Sequence, residues 1–331
     1  MNKNIKKSSF EMNEHELDKE RFLKTLVHYA DFDRVLDAIE EVHRSHLSSR
    51  AKSLIITGLS GLGKSTAMNF HQEKYPDREN GDVIPILRIN LHSVPTDKGI
   101  VDAILCKIDP YASNKSHLNS LHMKNRLLKL LDQYSVEMIV IDEIQHILPG
   151  HNERKRMQHF IDSLKHLIDE TGLPFILIGQ PSASDILSFE DPGSGEENQL
   201  RQRFRNTIEL SSIPYESHAW KKVINAYRSE LSMDSIDFTE GELGLRFHAA
   251  SKGRHSNTID ILTGAMKQWP GKGILNTDHL ILGYKNNVVS DPNMVNPFNC
   301  TLGQLDAFIK NTESGDRIKL ERNSRKRRAK L

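Results

Sequence analysis

The chain has 331 residues, of which 37% are hydrophobic and 27% are charged, a composition typical of a globular protein and not of a disordered or fibrous one. Its net charge of +1 gives no overall preference for an acidic or a basic partner, and no apolar run approaches the ~20 residues of a membrane span. Cys106 and Cys300 lie far apart and match no metal-binding spacing, and the N-terminal sequence lacks the apolar stretch of a signal peptide. We therefore expect a reducing, cytoplasmic setting without disulfides.

The predicted elements begin after a polar segment. Residues 1–20 are mixed in charge and are predicted to form a flexible arm. Apolar residues then recur at helical spacing from residue 20 to residue 48, which predicts one or two helices. Five short apolar runs follow and are predicted to be strands, at residues 53–58, 83–90, 137–143, 174–180 and 206–212. Helical patterns separate these runs at residues 64–75, 97–108, 118–134 and 153–170.

Strands that alternate with helices predict a parallel sheet with right-handed crossovers. The nearly continuous apolar character of these strands predicts that helices cover both faces of the sheet. The predicted fold is therefore α/β, with a parallel five-stranded sheet between helices over residues 21–213.

The strand pattern stops after residue 213. Helical patterns at residues 215–232, 239–251 and 255–268 predict a small helical lid over residues 214–285, although the sequence from residue 280 to residue 300 is irregular. Residues 286–331 are predicted to form an irregular segment with one short helix at 302–311. A basic tail ends the chain, with eight Lys or Arg among its last fifteen residues.

A glycine-rich turn follows the first predicted strand, and residues 58–65 fit the pattern G-x-x-x-x-G-K-[ST]. Glycines let backbone N–H groups turn inward around phosphates, and the helix that starts near Lys64 points its positive end toward them. Lys64 is predicted to contact the β- and γ-phosphates of a nucleoside triphosphate, and Ser65 to ligate Mg²⁺. The residues predicted to bind this nucleotide are Gly58, Gly61, Leu62, Gly63, Lys64, Ser65 and Thr66.

An acidic pair, Asp142 and Glu143, directly follows four apolar residues at the end of the third predicted strand. With this strand beside the loop strand, Asp142 is predicted to lie near Mg²⁺, and Glu143 is a candidate general base for the attacking water. The alternative is two solvated acids at a strand end. An acid suited to activating water favours hydrolysis over phosphoryl transfer to a small substrate.

Polar residues at later positions extend the predicted site. Gln180 ends the next strand, where it either senses the γ-phosphate or only caps the strand. Arg201, Arg203 and Arg205 precede the last strand, and a permanently charged guanidinium fork suits a phosphate. Supplied by a neighbouring subunit, such an arginine would couple hydrolysis to assembly. Arg254 starts a lid helix and is predicted to reach the nucleotide phosphates, with a simple N-terminal turn residue as the alternative.

Taken in chain order, these motifs resemble those of AAA+ ATPases. The local sequences HYADFDRVLDAI, IDEIQHI, PFILIGQPSA, QLRQRFRNTIEL and NPF are similar to the TniB/TnsC group, the AAA+ regulators of Tn7-like transposons, over roughly residues 20–300. Gln180 departs from the pattern, because relatives more often have Thr or Asn there. In AAA+ proteins, Tyr29 and Phe32 lie in a segment that often lines the adenine, although core packing explains them equally well.

The resemblance implies an ATP- and Mg²⁺-dependent ring or filament that assembles on duplex DNA in the bacterial cytoplasm. It would link a target selector, a TniQ-like protein in CRISPR-associated systems, to the transposase. Lys98 and the cluster Arg154, Lys155 and Arg156 are candidate contacts with the DNA backbone, which predicts sequence-independent, salt-sensitive binding. Solvated surface charge is the alternative for each of these residues.

Two other classes of protein fit part of the pattern. An AAA+ origin-binding or helicase-loading ATPase would usually carry a winged-helix domain after the lid, and the sequence after Lys267 is short and irregular for one. A non-hydrolysing, nucleotide-dependent interaction protein is disfavoured by Glu143. The sixteen histidines show no zinc-binding spacing with cysteines or acids, so we expect them to be surface or packing residues.

Overall fold

The computed structural model describes residues 14–78, 81–90, 99–109, 120–146, 154–187, 200, 203–204, 206–288 and 294–312. Contacts divide the chain into two compact units. One, called the sheet unit below, is Ala30–Ser211, and the other, the helical unit, combines Met1–Tyr29 with Ser212–Leu331. The first helix among the described residues, α1 (Glu14–Lys24), belongs to the helical unit, so the predicted N-terminal arm is helical from Glu14 onward.

The sheet unit is an α/β fold, as the sequence predicts. Its five strands are β1 (Leu54–Gly58), β2 (Ile86–Asn90), β3 (Met138–Asp142), β4 (Phe175–Gly179) and β5 (Asn206–Leu210). They pair in parallel in the order β2-β3-β4-β1-β5. The helices of this unit are α2 (Ala30–Arg44), α3 (Lys64–Lys74), α4 (Gly99–Ile108), α5 (Ser120–Gln133) and α6 (Arg154–Thr171).

The central strands are covered on both faces. Every residue of β1, β3 and β4 is buried, as expected where helices pack on each side of a parallel sheet. Alternate residues of a strand face opposite layers, and Ile55, Ile141 and Leu177 join a core cluster with apolar residues of α4, α5 and α6. Helices α2 and α3 pack on each other and on β1. The edge strand β5 is mostly exposed.

The strand order corrects one expectation. The sequence predicts the strand of Asp142 beside the loop strand, but β4 lies between β3 and β1, because both edges of β1 are already paired, with β4 and β5. Parallel strands end at the same edge of a sheet, so Asp142 still lies near the loop that follows β1. The Ser65 hydroxyl donates a hydrogen bond to the Asp142 carboxylate at 3.4 Å.

The rest of the helical unit follows β5 along the chain. It contains α7 (His218–Ser229), α8 (Gly241–Ser251), α9 (His255–Gln268) and α10 (Thr277–Asn287), and then a helix over residues 302–312. Among the helices that the structure describes, none is both long and apolar enough to span a bilayer.

Helix α10 corrects a second expectation, because it occupies the start of the stretch that the sequence predicts to be irregular. Gly283, in the middle of α10, weakens the helical pattern of the sequence. This glycine is required because α9 and α10 pack closely. A Cβ atom at Gly283 would lie 2.4 Å from the carbonyl oxygen of Ile261, and one at Gly264 would lie 2.9 Å from the Gly283 Cα. Either substitution would therefore force the two helices apart.

The NPF sequence has a packing role in the helical unit. The Phe298 ring is buried, with its centroid 5.8 Å from that of Phe247 and 6.2 Å from that of Tyr284. The Arg246 guanidinium donates hydrogen bonds to the carbonyl oxygens of Pro297, at 2.6 Å, and of Cys300, at 2.9 Å. These contacts attach the segment around Phe298 to α8.

Candidate functional site

The turn between β1 and α3 has the backbone geometry of a phosphate-binding loop. Gly61 and Gly63 have φ angles of +81° and +97°, which L side chains rarely adopt. Gly63 is the N-cap residue of α3, so the free N–H groups of the first helical turn are available to an anion in the loop. At Gly58 a Cβ atom would lie 2.6 Å from the Leu210 carbonyl oxygen, so only glycine permits the close approach of β5.

Lys64, the first residue of α3, is only 9% exposed. Its ammonium donates hydrogen bonds to the carbonyl oxygens of Gly58, at 2.8 Å, and Leu59, at 2.9 Å. Burial lowers the pKa of Lys64, and the nearby Glu143 and Asp142 carboxylates oppose this shift in part. A phosphate beside the ammonium would compensate for the lost hydration of its charge. The loop and its lysine therefore fit a nucleotide phosphate chain.

Asp142 brings three elements together at the carboxyl end of β3. Its Oδ2 accepts the hydrogen bond from Ser65 and forms an ion pair with the Arg88 guanidinium. Arg88 lies on β2 opposite Val140 and also donates to Asn69 of α3. A hydroxyl beside a carboxylate is a donor set that suits Mg²⁺, so Ser65 and Asp142 fit this ion.

The sequence pattern did not single out Arg88. A signal was nevertheless present, because a charged residue flanked by apolar strand residues needs a partner for its charge.

Glu143 has a backbone φ of +55°, uncommon for a residue other than glycine. Its backbone N–H donates to the Asp142 carboxylate at 2.8 Å, and its own carboxylate accepts a hydrogen bond from the Gln145 amide. The His146 Nε2 lies 3.8 Å from the same carboxylate. The Glu143 side chain is 51% exposed, so water reaches it. Such backbone geometry is frequent at active sites, where surrounding contacts compensate for its cost.

Gln145 links Glu143 to the neighbouring strand. Its Oε1 accepts a hydrogen bond from the backbone N–H of Gln180 at 2.9 Å. Gln180 directly follows β4, which lies between β1 and β3, so it lies between the loop and the acidic pair. A Cβ atom at Gly179 would lie 2.8 Å from the Gln145 Oε1, so this link requires glycine there. Nothing in the sequence beyond its closeness to Glu143 pointed to Gln145.

Arg203 lies at the opposite edge of the sheet. It precedes β5, whose first residue Asn206 pairs with Leu54 at the start of β1, whereas the loop begins at Gly58 at the other end of that strand. The rise along β1 separates these edges by roughly 13 Å. The Arg203 guanidinium forms a two-point ion pair with Asp169 of α6, with N···O distances of 2.8 and 2.5 Å. Arg203 is therefore not part of the loop site of its own chain.

The residues predicted to approach the adenine and phosphates lie in both units. Phe32 is buried in α2 of the sheet unit, as is Leu62 in the loop, whereas Thr66 is exposed. Tyr29 belongs to the helical unit, and Arg254 is the N-cap residue of α9 there. The roles of these residues toward a nucleotide stay predictions.

Several predicted residues lack described side chains. Lys98, Arg201 and the basic tail lie outside the described residues. Arg154, Lys155 and Arg156 occupy the first turn of α6. Their role in contacting DNA stays a prediction.

His255 follows Arg254 and lies between two tyrosines. Its Nε2 is 3.3 Å from the Tyr29 hydroxyl, and its Nδ1 is 3.1 Å from the Tyr227 hydroxyl. Burial lowers the pKa of His255 to about 4, from an ordinary value of 6.5. The imidazole is therefore neutral at physiological pH, with one nitrogen as donor and the other as acceptor.

We predict that this neutral histidine makes stability sensitive to acid. Between the pKa of about 4 in the folded chain and the ordinary value of 6.5, the unfolded chain binds more protons at this residue than the folded chain does. The free energy of unfolding is therefore highest above about pH 6.5 and falls by up to about 3 kcal/mol as the pH falls toward 4. Urea unfolding between neutral pH and about pH 5 should show a shallower pH dependence for His255→Gln than for the parent. The exposed residue His218 supplies the control, His218→Gln, which should leave the slope unchanged. Equal slopes for the parent and His255→Gln would contradict the assignment.

Comparison with solved structures identifies the class of fold. The chain resembles the Aeropyrum pernix ORC2 protein, solved as ADPNP–ADP complexes, with a TM-score of 0.55, 13% identity, and coverage of 87% of this chain and 74% of that chain. For Cdc6p from Pyrobaculum aerophilum the TM-score is 0.55, with 14% identity and coverage of 80% and 70%. For the A. pernix ORC1 protein in complex with DNA the TM-score is 0.54, with 15% identity and coverage of 78% and 65%.

The parallel sheet and the glycine-rich loop after β1 have the AAA+ P-loop NTPase fold. The family model described as bacterial TniB protein matches residues 18–211, and the chain belongs to this family. A search of curated proteins finds no match.

Proposed function

We propose that this protein is an ATP-hydrolysing regulator of DNA transposition that assembles on duplex DNA. The observation that carries the proposal is the meeting of Lys64, Ser65 and Asp142 at one edge of the sheet in a member of the TniB family. The shared fold alone would suit a replication-initiation ATPase equally well, and family membership favours transposition.

The residues at this edge of the sheet have different roles in ATP hydrolysis. When bound, ATP with Mg²⁺ supplies the phosphoryl group and the charge that neutralises it. Lys64 and the loop N–H groups hold the phosphates, while Ser65 and Asp142 hold the cation. Glu143 accepts a proton from water at its carboxylate, which Gln145 orients. Gln180, whose backbone N–H donates to the Gln145 side chain, senses the phosphates.

Arg203 completes the site of a neighbouring subunit. Its place at the far edge of the sheet, away from the loop of its own chain, supports a role in another subunit. A guanidinium from the neighbour would contact the phosphates and make hydrolysis depend on assembly. ATP binding would then hold a ring or filament together, and hydrolysis would loosen it.

The assembly would encircle or line duplex DNA in the bacterial cytoplasm and link a TniQ-like target selector to the transposase. Lys98 and residues 154–156 are the proposed contacts with the DNA backbone. The A. pernix ORC1 protein, which shares the fold, has been solved in complex with DNA.

The Arg203→Ala variant should bind ATP as the parent does but lose its DNA-stimulated ATPase activity by at least about 100-fold, because an arginine finger contributes more than this to turnover. Phosphate release in the presence of duplex DNA measures the effect. Arg126→Ala is a matched control, since Arg126 also pairs with a carboxylate, that of Asp109, at a similar exposure of 28% compared with 23% for Arg203.

A mixture of two variants tests whether Arg203 acts on the site of a neighbouring subunit or within its own chain. Arg203→Ala subunits carry an intact Glu143, and Glu143→Gln subunits carry an intact Arg203. If the finger acts between subunits, the mixture should recover activity that neither variant has alone. Recovery of no activity, or full activity of Arg203→Ala by itself, would contradict the proposed interface.

A further inference from the structure

A second cluster of polar side chains lies at the amino edge of β3, away from the loop. His43 is near the end of α2, His46 lies in the 3₁₀ turn that follows it, and Glu137 immediately precedes β3. One possible ligand atom from each residue lies within 4.8 Å of the other two. Among the residues that the structure describes, this is the one group of His, Cys, Asp or Glu that meets this condition.

The separations within the cluster suit a metal ion. The Nε2 atom of His43 lies 3.0 Å from the Glu137 Oε2, and the Nε2 atom of His46 lies 4.0 Å from the same oxygen. Two ligands bound tetrahedrally to Zn²⁺, at the usual lengths of about 2.0–2.2 Å, lie about 3.3 Å apart. The observed distances lie on either side of that value, so a small side-chain adjustment would suffice.

Hydrogen bonds on the Nδ1 atoms orient both imidazoles. The Nδ1–H of His46 donates to the His43 carbonyl oxygen at 2.6 Å, so in the neutral ring the Nε2 lone pair faces Glu137. The His43 Nδ1 lies 2.9 Å from the Nε2 of His71, whose Nδ1 is 3.6 Å from the Glu40 carboxylate. Metal-binding histidines commonly have such partners on their second nitrogen, where these partners set the tautomer and the ring angle.

The inner side of the cluster is shielded from water. The His43 and His71 side chains are only 2% and 1% exposed. Without a cation, the His43 Nε2–H donates a hydrogen bond to the Glu137 carboxylate, and a bound metal ion would take the place of this proton.

We propose that His43, His46 and Glu137 bind a divalent transition-metal ion, best matched by Zn²⁺, with water in the fourth position. Two imidazoles and one carboxylate form a ligand set that Zn²⁺ accepts, whereas Mg²⁺ prefers oxygen ligands. The ion ties the end of α2 to the start of β3. The site is separate from the loop, which lies at the opposite edge of the sheet, and does not depend on the proposed function.

The test uses the untagged full chain, treated with a chelator, dialysed and kept free of nucleotide. Titration with Zn²⁺ should give one tightly bound ion per chain and raise Tm by roughly 5 °C, because a ligand that binds only the folded state stabilises it. Substitution with Co²⁺ should give the visible absorption bands of a four-coordinate site with nitrogen and oxygen ligands. A parent protein that takes up no Zn²⁺ and shows no change in Tm would overturn the proposal.

The variants His46→Gln and Glu137→Gln remove ligands from the more exposed side of the site and should weaken Zn²⁺ binding at least tenfold. The control His122→Gln removes an exposed histidine elsewhere in the sheet unit and should bind as the parent does. Affinity is measured at a temperature where circular dichroism shows each variant to be folded, so that unfolding cannot imitate loss of the site. Unchanged binding by both ligand variants would also overturn the proposal.

Discussion

Replacing Lys64 with alanine is expected to abolish the ATP-dependent assembly of this protein on duplex DNA. The Lys64 ammonium is buried at the start of α3, beside the loop that fits the phosphate chain. Removing one partner of a buried charge pair weakens binding strongly, so we expect nucleotide affinity to fall on the order of 100-fold or more. Titration with a fluorescent ATP analogue measures affinity, and electron microscopy with a non-hydrolysable analogue and duplex DNA shows assembly.

The fold should survive this change, because alanine removes the cost of burying the ammonium, which the backbone carbonyl oxygens of the loop offset in part. Lys74→Ala is a matched control. Lys74 ends the same helix, is exposed, and lies over the Phe70 ring at 4.9 Å, away from the loop. It should bind ATP and assemble as the parent does. Normal ATP-dependent assembly by Lys64→Ala would show that the loop does not control this step.

The Glu143→Gln variant is expected to bind ATP and assemble, but to hydrolyse ATP at least about 100-fold more slowly, the scale of a general-base contribution. Glutamine keeps the size of the side chain and its contact with Gln145, while it cannot accept a proton from water. Assemblies on DNA should therefore persist after excess ATP is removed. Phosphate release measures turnover, and the loss of DNA-bound protein over time measures the lifetime of the assembly.

Glu170→Gln is the matched control, because Glu170 is a partly exposed acid of the same unit that pairs with Lys124 on α5. It should leave both turnover and lifetime unchanged. If Glu143→Gln assemblies dissociate as fast as those of the parent, Glu143 is not the base. The contrast with Lys64→Ala separates nucleotide binding from hydrolysis. Lys64→Ala should fail to assemble on DNA, whereas Glu143→Gln should assemble and then fail to disassemble.

Features that depend on residues adjacent in the sequence were predictable from the sequence. The five strands are contiguous apolar runs, and the loop motif joins the first of them to a helix, so their positions follow from local patterns. The α/β class followed from the alternation of strands and helices. Helix α10 was not predictable, because Gly283 weakens its pattern and is explained only by the close packing of α9.

Contacts between distant segments were decided by the tertiary structure. Arg88 and Asp142 meet because β2 pairs with β3, and Gln145 reaches Gln180 because β4 pairs with β3. Arg203, in contrast, lies away from the loop of its own chain, because β5 pairs in parallel with β1 and Arg203 precedes the start of β5.

The sequence by itself determined the class of fold, the phosphate loop and the acidic pair, because each is encoded in a short run of adjacent residues. Only the tertiary structure decided which side chains accompany Asp142 and Glu143, and which three residues form the cluster of His43, His46 and Glu137. The physical reason is that strand order and helix packing bring together residues far apart in the chain, and these depend on the burial of the whole core.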